Sequence, residues 1–145
     1  SVESIHRLLF AAIASARRTV RIATPYFVPD RAVLVALQTA AMRGVDVRLI
    51  VPRVSNHRLT FHAGRSYYDE LLAAGVHIHE YVPGMLHTKA MVVDGRFAFT
   101  GGVVHQRLAV NWITRRVVNR ITRRCGADPY SGMDVFHRNC DLCST

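Results

Sequence analysis

His87 and Lys89 are the residues of this chain best suited to chemistry. They open the stretch His87-Thr88-Lys89-Ala90-Met91-Val92-Val93-Asp94-Gly95. In an extended strand alternate side chains share a face, so both would project from one surface while Thr88 points away. An imidazole that can attack or protonate, beside an ammonium that can hold an anionic oxygen, is a minimal kit for phosphoryl transfer. A His-x-Lys pair in a basic protein also arises as a plain solvated strand face, so its meaning depends on its surroundings.

With 145 residues the chain suits one domain with a real core. Half of it is hydrophobic and 20% is charged, the balance of a soluble globular protein. Its formal net charge of +9 predicts attraction to nucleic acid, an anionic membrane surface or a phosphate-bearing substrate, without choosing among them. The longest apolar run, the seven residues Leu8 to Ala14, is too short to span a bilayer. A start methionine and the basic region of a signal peptide are missing, and the opening Ser1 predicts a fragment or a trimmed chain. Cys125, Cys140 and Cys143 all lie near the end, and an odd count with none in the core argues against a disulfide scaffold and for a reducing compartment.

The elements that must position His87 and Lys89 can be read from periodicity. Ile5, Leu8, Leu9, Ala12, Ile13 and Ala16 form a helical stripe over 4–17. Residues 19–24 read as a strand closed by Pro25 and a turn at Pro29-Asp30. Asp30 is the expected N-cap of a second helix running to Met42, with Gly44 as its stop. Residues 45–51 form a second strand, 58–74 a third helix ended by Gly75, and 76–82 a third strand. Pro83-Gly84 leads into the motif strand, and Asp94-Gly95 turns it into a hairpin with 96–100. This order predicts an α/β fold, a mixed sheet sandwiched by helices. Ligands of such sheets sit outside strand ends where loops converge, so Tyr26–Pro29, Val54–His57 and Met85-Leu86 are the expected pocket walls.

Other residues invite chemistry more weakly. Cys125, His137, Cys140 and Cys143 carry one zinc-like C-x2-C, with no second pair to complete it. His77 and His79 share a strand face and read as structural, lacking a third ligand. His57 and His62 flank a loop near the expected pocket, where His57 is the candidate phosphate contact. Tyr67 and Tyr68 read as core or wall. Residues 103–145 hold seven arginines and no lysine, and 111–124 suggests a basic helix that would lie on anionic lipid or a phosphate backbone.

His87, Lys89 and Asp94, with Gly101 behind them, match the His-x-Lys-x4-Asp-x6-Gly signature of the phospholipase D superfamily. Ala23-Thr24-Pro25-Tyr26-Phe27-Val28-Pro29-Asp30, residues 43–47, Arg65-Ser66-Tyr67-Tyr68 and Pro83-Gly84-Met85-Leu86-His87 further resemble the C-terminal catalytic half of the bacterial cardiolipin synthases. The resemblance runs over about residues 4–102. It implies a phospholipase D-like fold and transfer of a phosphatidyl group through a phosphohistidine, with phosphatidylglycerol as the anionic phospholipid substrate. His87 is implied as the acid/base histidine and Lys89 as a phosphate ligand. Asp94, part of the catalytic motif, is implied to order the motif turn. Tyr26 and His57 are the expected substrate contacts, and neither a metal nor another cofactor is implied. The family's enzymes are bacterial and associated with the cytoplasmic membrane surface.

The family builds one site from two such motifs, and this sequence holds one. The second would come from a missing N-terminal half or from a homodimer mate. Gly102 and Val104 stand where the family has serine and asparagine, and nothing from Val103 onward resembles it. The expected organisation is therefore a catalytic half-domain over 1–102 and an atypical tail over 103–145, read as either the product of a shifted reading frame or a disordered segment. The lost strand would leave the hairpin edge unpaired. The expected function is phosphatidyl transfer of the cardiolipin synthase type, crippled in the isolated chain. The alternatives are a homodimeric phosphodiesterase or nuclease bound to nucleic acid, and a non-catalytic remnant that binds anionic lipid or nucleic acid.

Overall fold

A computed structural model describes the backbone of residues 2–55, 57–82, 86–100 and 103–106. The expected helix at 111–124 and the Cys/His cluster of the tail lie outside the described residues. Six strands form one mixed sheet in the order β3-β2-β1-β4-β5-β6. β1 (Thr19–Ala23), β2 (Asp46–Pro52) and β3 (His77–Tyr81) run parallel. β4 (Ala90–Val93) is antiparallel to β1, and β5 (Phe97–Thr100) and β6 (Val103–Gln106) follow as an antiparallel meander. The α/β class expected from the element order is the one observed.

Among the described residues four helices accompany the sheet: α1 (Val2–Ala14), α2 (Arg31–Met42), α3 (Arg58–Arg65) and α4 (Tyr68–Ala73). α2 begins where expected, because the Asp30 carboxylate accepts the Val33 N–H at 2.8 Å and satisfies an otherwise orphaned donor. It ends at Gly44, whose φ of +88° is a left-handed conformation that costs a glycine nothing. The single helix expected over 58–74 is instead two. Gly64 and Ser66 are poor interior helix residues, and the Ser66 hydroxyl donates back to the Ala63 carbonyl at 2.6 Å.

Alternation along the strands sorts the side chains into two faces. Val20, Val47, Leu49, Ile78, Met91, Val93 and Phe99 pack with Ile13 of α1, Leu34 and Leu37 of α2 and Leu71 of α4 in the main core. Burying such side chains is worth about 1.5–3 kcal/mol each, which fixes the register of every strand involved. The opposite face carries a smaller cluster of Ala23, Ile50 and Leu86, with Tyr81 against it. That face also bears Arg21, Arg48 and His79. Asp46 lies between the two arginines, 2.5 Å from an Arg21 guanidinium nitrogen and 3.0 Å from the Arg48 Nε.

The structure differs from expectation at two points near the motif. The motif strand starts at Ala90, so His87 and Lys89 lie in the irregular segment before it and not within a strand. Strand alternation therefore does not govern where their side chains point. Second, β6 at Val103–Gln106 pairs with β5, so the hairpin edge expected to stand open is covered, and the sheet continues past residue 102.

Candidate functional site

The segment 86–89 reaches the sheet at the end where β1, β2 and β3 finish. β4 runs antiparallel to β1, and its first residue, Ala90, pairs with Ala23, the last residue of β1. His87 and Lys89 are therefore delivered to the carboxyl edge of the parallel strands, where the loops after them converge. Both are exposed, and neither has a side-chain hydrogen bond or carboxylate partner among the described residues. Leu86, 4% exposed, anchors the segment in the small cluster with Ala23 and Ile50.

The loops expected as pocket walls do come together. A small crevice is lined by Pro25 and Tyr26 after β1, by Pro52 at the end of β2 with Val54 and Ser55 after it, and by Leu86 and His87. Met85 and Asn56, within the expected walls, lie outside the described residues. His57 stands beside the crevice, its ring 5.1 Å from that of Tyr26 in an edge-to-face contact. The β1 loop is fixed locally: the Thr24 hydroxyl donates to the Tyr26 carbonyl at 3.0 Å, and the Tyr26 N–H donates back to that oxygen at 3.3 Å. Gly64 of α3 packs beneath it, since a Cβ there would stand 2.7 Å from the Phe27 carbonyl oxygen.

Lys89 does not share the crevice with His87. It lines a larger cavity of about 410 Å³ between α1, the start of α2 and strands β1, β4 and β5. Tyr26 contributes to the lining of both spaces. The larger cavity is mostly apolar, with Leu9, Ile13, Ile22, Val33, Met91 and Phe99 in its walls. No periodicity in the sequence announces it. Its only trace there is the width of the α1 stripe, where Ile5 and Leu8 remain 37% and 44% exposed in the fold.

Asp94 is brought elsewhere. It lies five positions beyond Lys89 along an extended chain, a span of about 16 Å at the rise of a strand. At the opposite end of the sheet, its carboxylate accepts the backbone N–H groups of Arg17, Arg18 and Thr19 at 2.9, 2.7 and 2.9 Å. Burial raises its pKa, but those three donors outweigh the burial and hold the carboxyl below the usual range. Asp94 and Gly95, with φ of +53° and +63°, occupy the centre of a turn closed by Arg96 N–H to Val93 O. Two left-handed residues in succession give the hairpin turn that matches strand twist.

Among the described residues no three His, Cys, Asp or Glu side chains stand together as a metal site. His79 is 6% exposed, and burial, then the neighbouring positive groups of Arg48, His77 and Arg21, push its pKa down to about 4. Tyr68, also buried, is pushed up to about 12, mainly by burial. One signal in the sequence is stronger than spacing alone conveys. Lys89 is the single lysine among 19 basic Lys and Arg residues. A compact, rotatable ammonium stands at this position while every other such cation of the chain is a planar guanidinium.

The sequence profile of the family described as cardiolipin synthase, PLD-like domain, matches residues 9–114. That match extends beyond the point at which resemblance was expected to stop. A cardiolipin synthase from Geobacillus thermodenitrificans is 52% identical over 99 residues, 68% of this chain and 20% of the relative. Cardiolipin synthase A from Serratia proteamaculans is 46% identical over 101 residues, 70% of this chain and 21% of the relative. The chain thus spans about a fifth of the length of these relatives. In fold it is similar to the phospholipase D family member Nuc from Salmonella typhimurium, with a TM-score of 0.68 at 18% identity over 81% of this chain and 86% of that one. NucT from Helicobacter pylori aligns with a TM-score of 0.63 at 18% identity, covering 83% of this chain and 89% of that one. With the family profile matching most of its length and relatives at such identity, this chain belongs to the phospholipase D-like family of the cardiolipin synthases.

Proposed function

We propose that this chain forms the part of a cardiolipin synthase-type phosphatidyltransferase that holds one histidine and one lysine against the phosphodiester of phosphatidylglycerol. The observation that carries this reading is the exposure of His87 and Lys89 at the carboxyl edge of the parallel strands, in two spaces that both include Tyr26 in their lining. A phosphodiester seated over Tyr26 would meet an imidazole on one side and an ammonium on the other.

The chemistry in this reading is two displacements at phosphorus. A histidine of a second motif attacks the phosphorus, the bond to the glycerol oxygen breaks, and His87 gives its proton to that oxygen. A hydroxyl of a second phosphatidylglycerol then attacks the phosphohistidine, His87 takes its proton, and the phosphorus–nitrogen bond breaks as cardiolipin forms. The Lys89 side chain binds the non-bridging oxygens and offsets their charge in both steps. Tyr26 forms the wall between the substituents of the phosphorus, and His57 steadies Tyr26 and borders the crevice. Asp94 acts on architecture, fastening the far end of β4 to β1. The second motif comes from outside this sequence, either another segment of a longer protein or a second copy of the chain.

Exposed apolar side chains near the crevice support approach to a lipid surface. Val54 is 77% exposed and Leu59 is 89% exposed, in the loop after β2 and at the start of α3. No helix among the described residues is long and apolar enough to cross a membrane, so contact with the bacterial cytoplasmic membrane is assigned to these side chains and to basic charge.

Phosphohistidine trapping with a neutral quench tests the reading. Phosphatidylglycerol labelled at phosphorus is expected to label protein carrying this sequence and its second motif, with loss of turnover in His87→Ala. Labelling from an oligonucleotide in place of the lipid would make the protein a nuclease and overturn the lipid assignment.

A further inference from the structure

We infer that the apolar cavity beside Lys89 is an acyl-chain site, which takes one fatty chain of the lipid whose phosphate Lys89 holds. This rests on the phosphatidyl reading and extends it to where the tail goes. The cavity combines a few polar groups with a mostly apolar lining. Lys89, Tyr26 and Thr24 lie on its lining, as do His6 and Asp30, whose side chains meet at 3.2 Å. The rest includes Leu9, Ile13, Ile22, Val33, Met91 and Phe99. An ammonium on the wall of an apolar chamber is complementary to an amphiphile with an anionic head, not to a uniformly polar polyanion such as nucleic acid.

Size and access agree with a single chain. A volume of about 410 Å³ is within the range of small-molecule sites and suits a slender aliphatic segment. Ile5, Leu8 and Val28 line the cavity while remaining 37%, 44% and 53% exposed, so the apolar surface continues from the interior to the outside. A chain could therefore slide in from a membrane without crossing a polar barrier. Tyr26 would then separate the two substituents of the phosphorus, the lipid backbone and its tail on the Lys89 side and the exchanging alcohol on the His87 side. This division explains why the two motif residues line different spaces.

The single lysine provides the probe. In protein with 13C-labelled lysine, the one ε-methylene signal is followed while lysophosphatidylglycerols of 6, 8, 10 and 12 carbons are added below their micelle concentrations, with glycerophosphoglycerol as head group alone. Affinity is expected to rise about fourfold per methylene until the cavity is filled, and then to level off. Leu8→Trp, at an exposed rim position, is expected to bring the plateau to shorter chains, and Leu8→Ala to move it to longer ones. Misfolding cannot move it in both directions. Head-group binding at Lys89 with no dependence on chain length, or a plateau that neither variant moves, would overturn the inference while leaving the phosphatidyl reading in place. The cavity would then be a seat for polypeptide. A lysine signal unmoved by every probe, head group included, would overturn both.

Discussion

Asp94 and Thr19 hold each other twice. The Thr19 N–H donates to the Asp94 carboxylate at 2.9 Å, and the Asp94 N–H donates to the Thr19 carbonyl at 2.8 Å. The last residue of the His-x-Lys-x4-Asp motif is thereby tied to the first residue of β1, while the first residues of the motif lie at the other end of β4. The motif works as a strut with its exposed histidine and lysine at one end and a fastening at the other.

Removing that fastening is expected to lower stability without altering the ionisable groups near the phosphate. Asp94→Asn keeps a side chain tolerant of positive φ but loses the charge, and should cost on the order of 1–2 kcal/mol in urea denaturation at neutral pH. Because the folded carboxyl titrates below its unfolded value, its contribution is fully present above about pH 4 and is lost as pH falls through the lower folded pKa. The stability difference between wild type and Asp94→Asn should therefore shrink below about pH 4; a constant gap would count against this role.

His79 should make the protein acid-sensitive in a higher window. It is buried and neutral, and protonation in the folded state is held down to about pH 4 against an ordinary value of 6.5. The unfolded chain binds the proton first, so stability is full above about pH 6.5 and falls as pH drops toward 4. The loss is on the order of 3 kcal/mol. Its Nε2 has no hydrogen-bond partner among the described residues, so His79→Leu strands no partner of that nitrogen there. The variant is expected to flatten the stability profile over that range in denaturation experiments at stepped pH.

Gly64→Ala tests how tightly the Tyr26 loop is held. The added Cβ would fall 2.7 Å from the Phe27 carbonyl oxygen, a backbone atom that cannot rotate away. A loss of about 1–3 kcal/mol is expected, together with reduced turnover as the Tyr26 loop is displaced. Unchanged melting and unchanged turnover would show that the loop yields freely.

Lys89→Arg and Lys89→Met separate charge from shape. Under the phosphatidyltransferase reading, Lys89→Met should lower kcat by about 10²–10³, the scale of losing one stabilising group for a developing charge. Arginine keeps the charge but brings a larger planar head to the mouth of the apolar cavity, and partial recovery is expected. Equal rates for wild type and Lys89→Met in a cardiolipin-forming assay would remove Lys89 from the chemistry.

Val54→Ser with Leu59→Ser should weaken attachment to phosphatidylglycerol vesicles in flotation assays by about tenfold, while thermal melting stays near wild type. Both side chains are mostly exposed and contribute little to the core. Attachment that responds only to salt and not to these substitutions would assign the contact to charge alone.

Several features were legible in the sequence because they depend on neighbours along the chain. The Asp30 cap needs only the N–H three residues later, the Gly44 stop only its own φ, and the Asp94-Gly95 turn only the two residues at its centre. The core faces of β1 and β2 follow from strict alternation. The expected loop walls also met, since strands running parallel must deliver their loops to one edge. The expected long third helix is broken at Ser66, whose hydroxyl turns back to the Ala63 carbonyl, a local competition that the apolar periodicity of 58–74 does not reveal.

What the sequence by itself determined is the chemistry on offer: one histidine, a solitary lysine and an aspartate at family spacing, on an α/β frame. What only the tertiary structure decided is where each of them stands. An irregular segment at 86–89 removes the face-sharing that a strand would impose, so His87 and Lys89 line different spaces, each shared with Tyr26 from a distant loop. The cavity behind Lys89 is made by the separation of α1 and α2 from β1, β4 and β5. Such empty space is a property of packing between distant elements, and local periodicity carries no record of it.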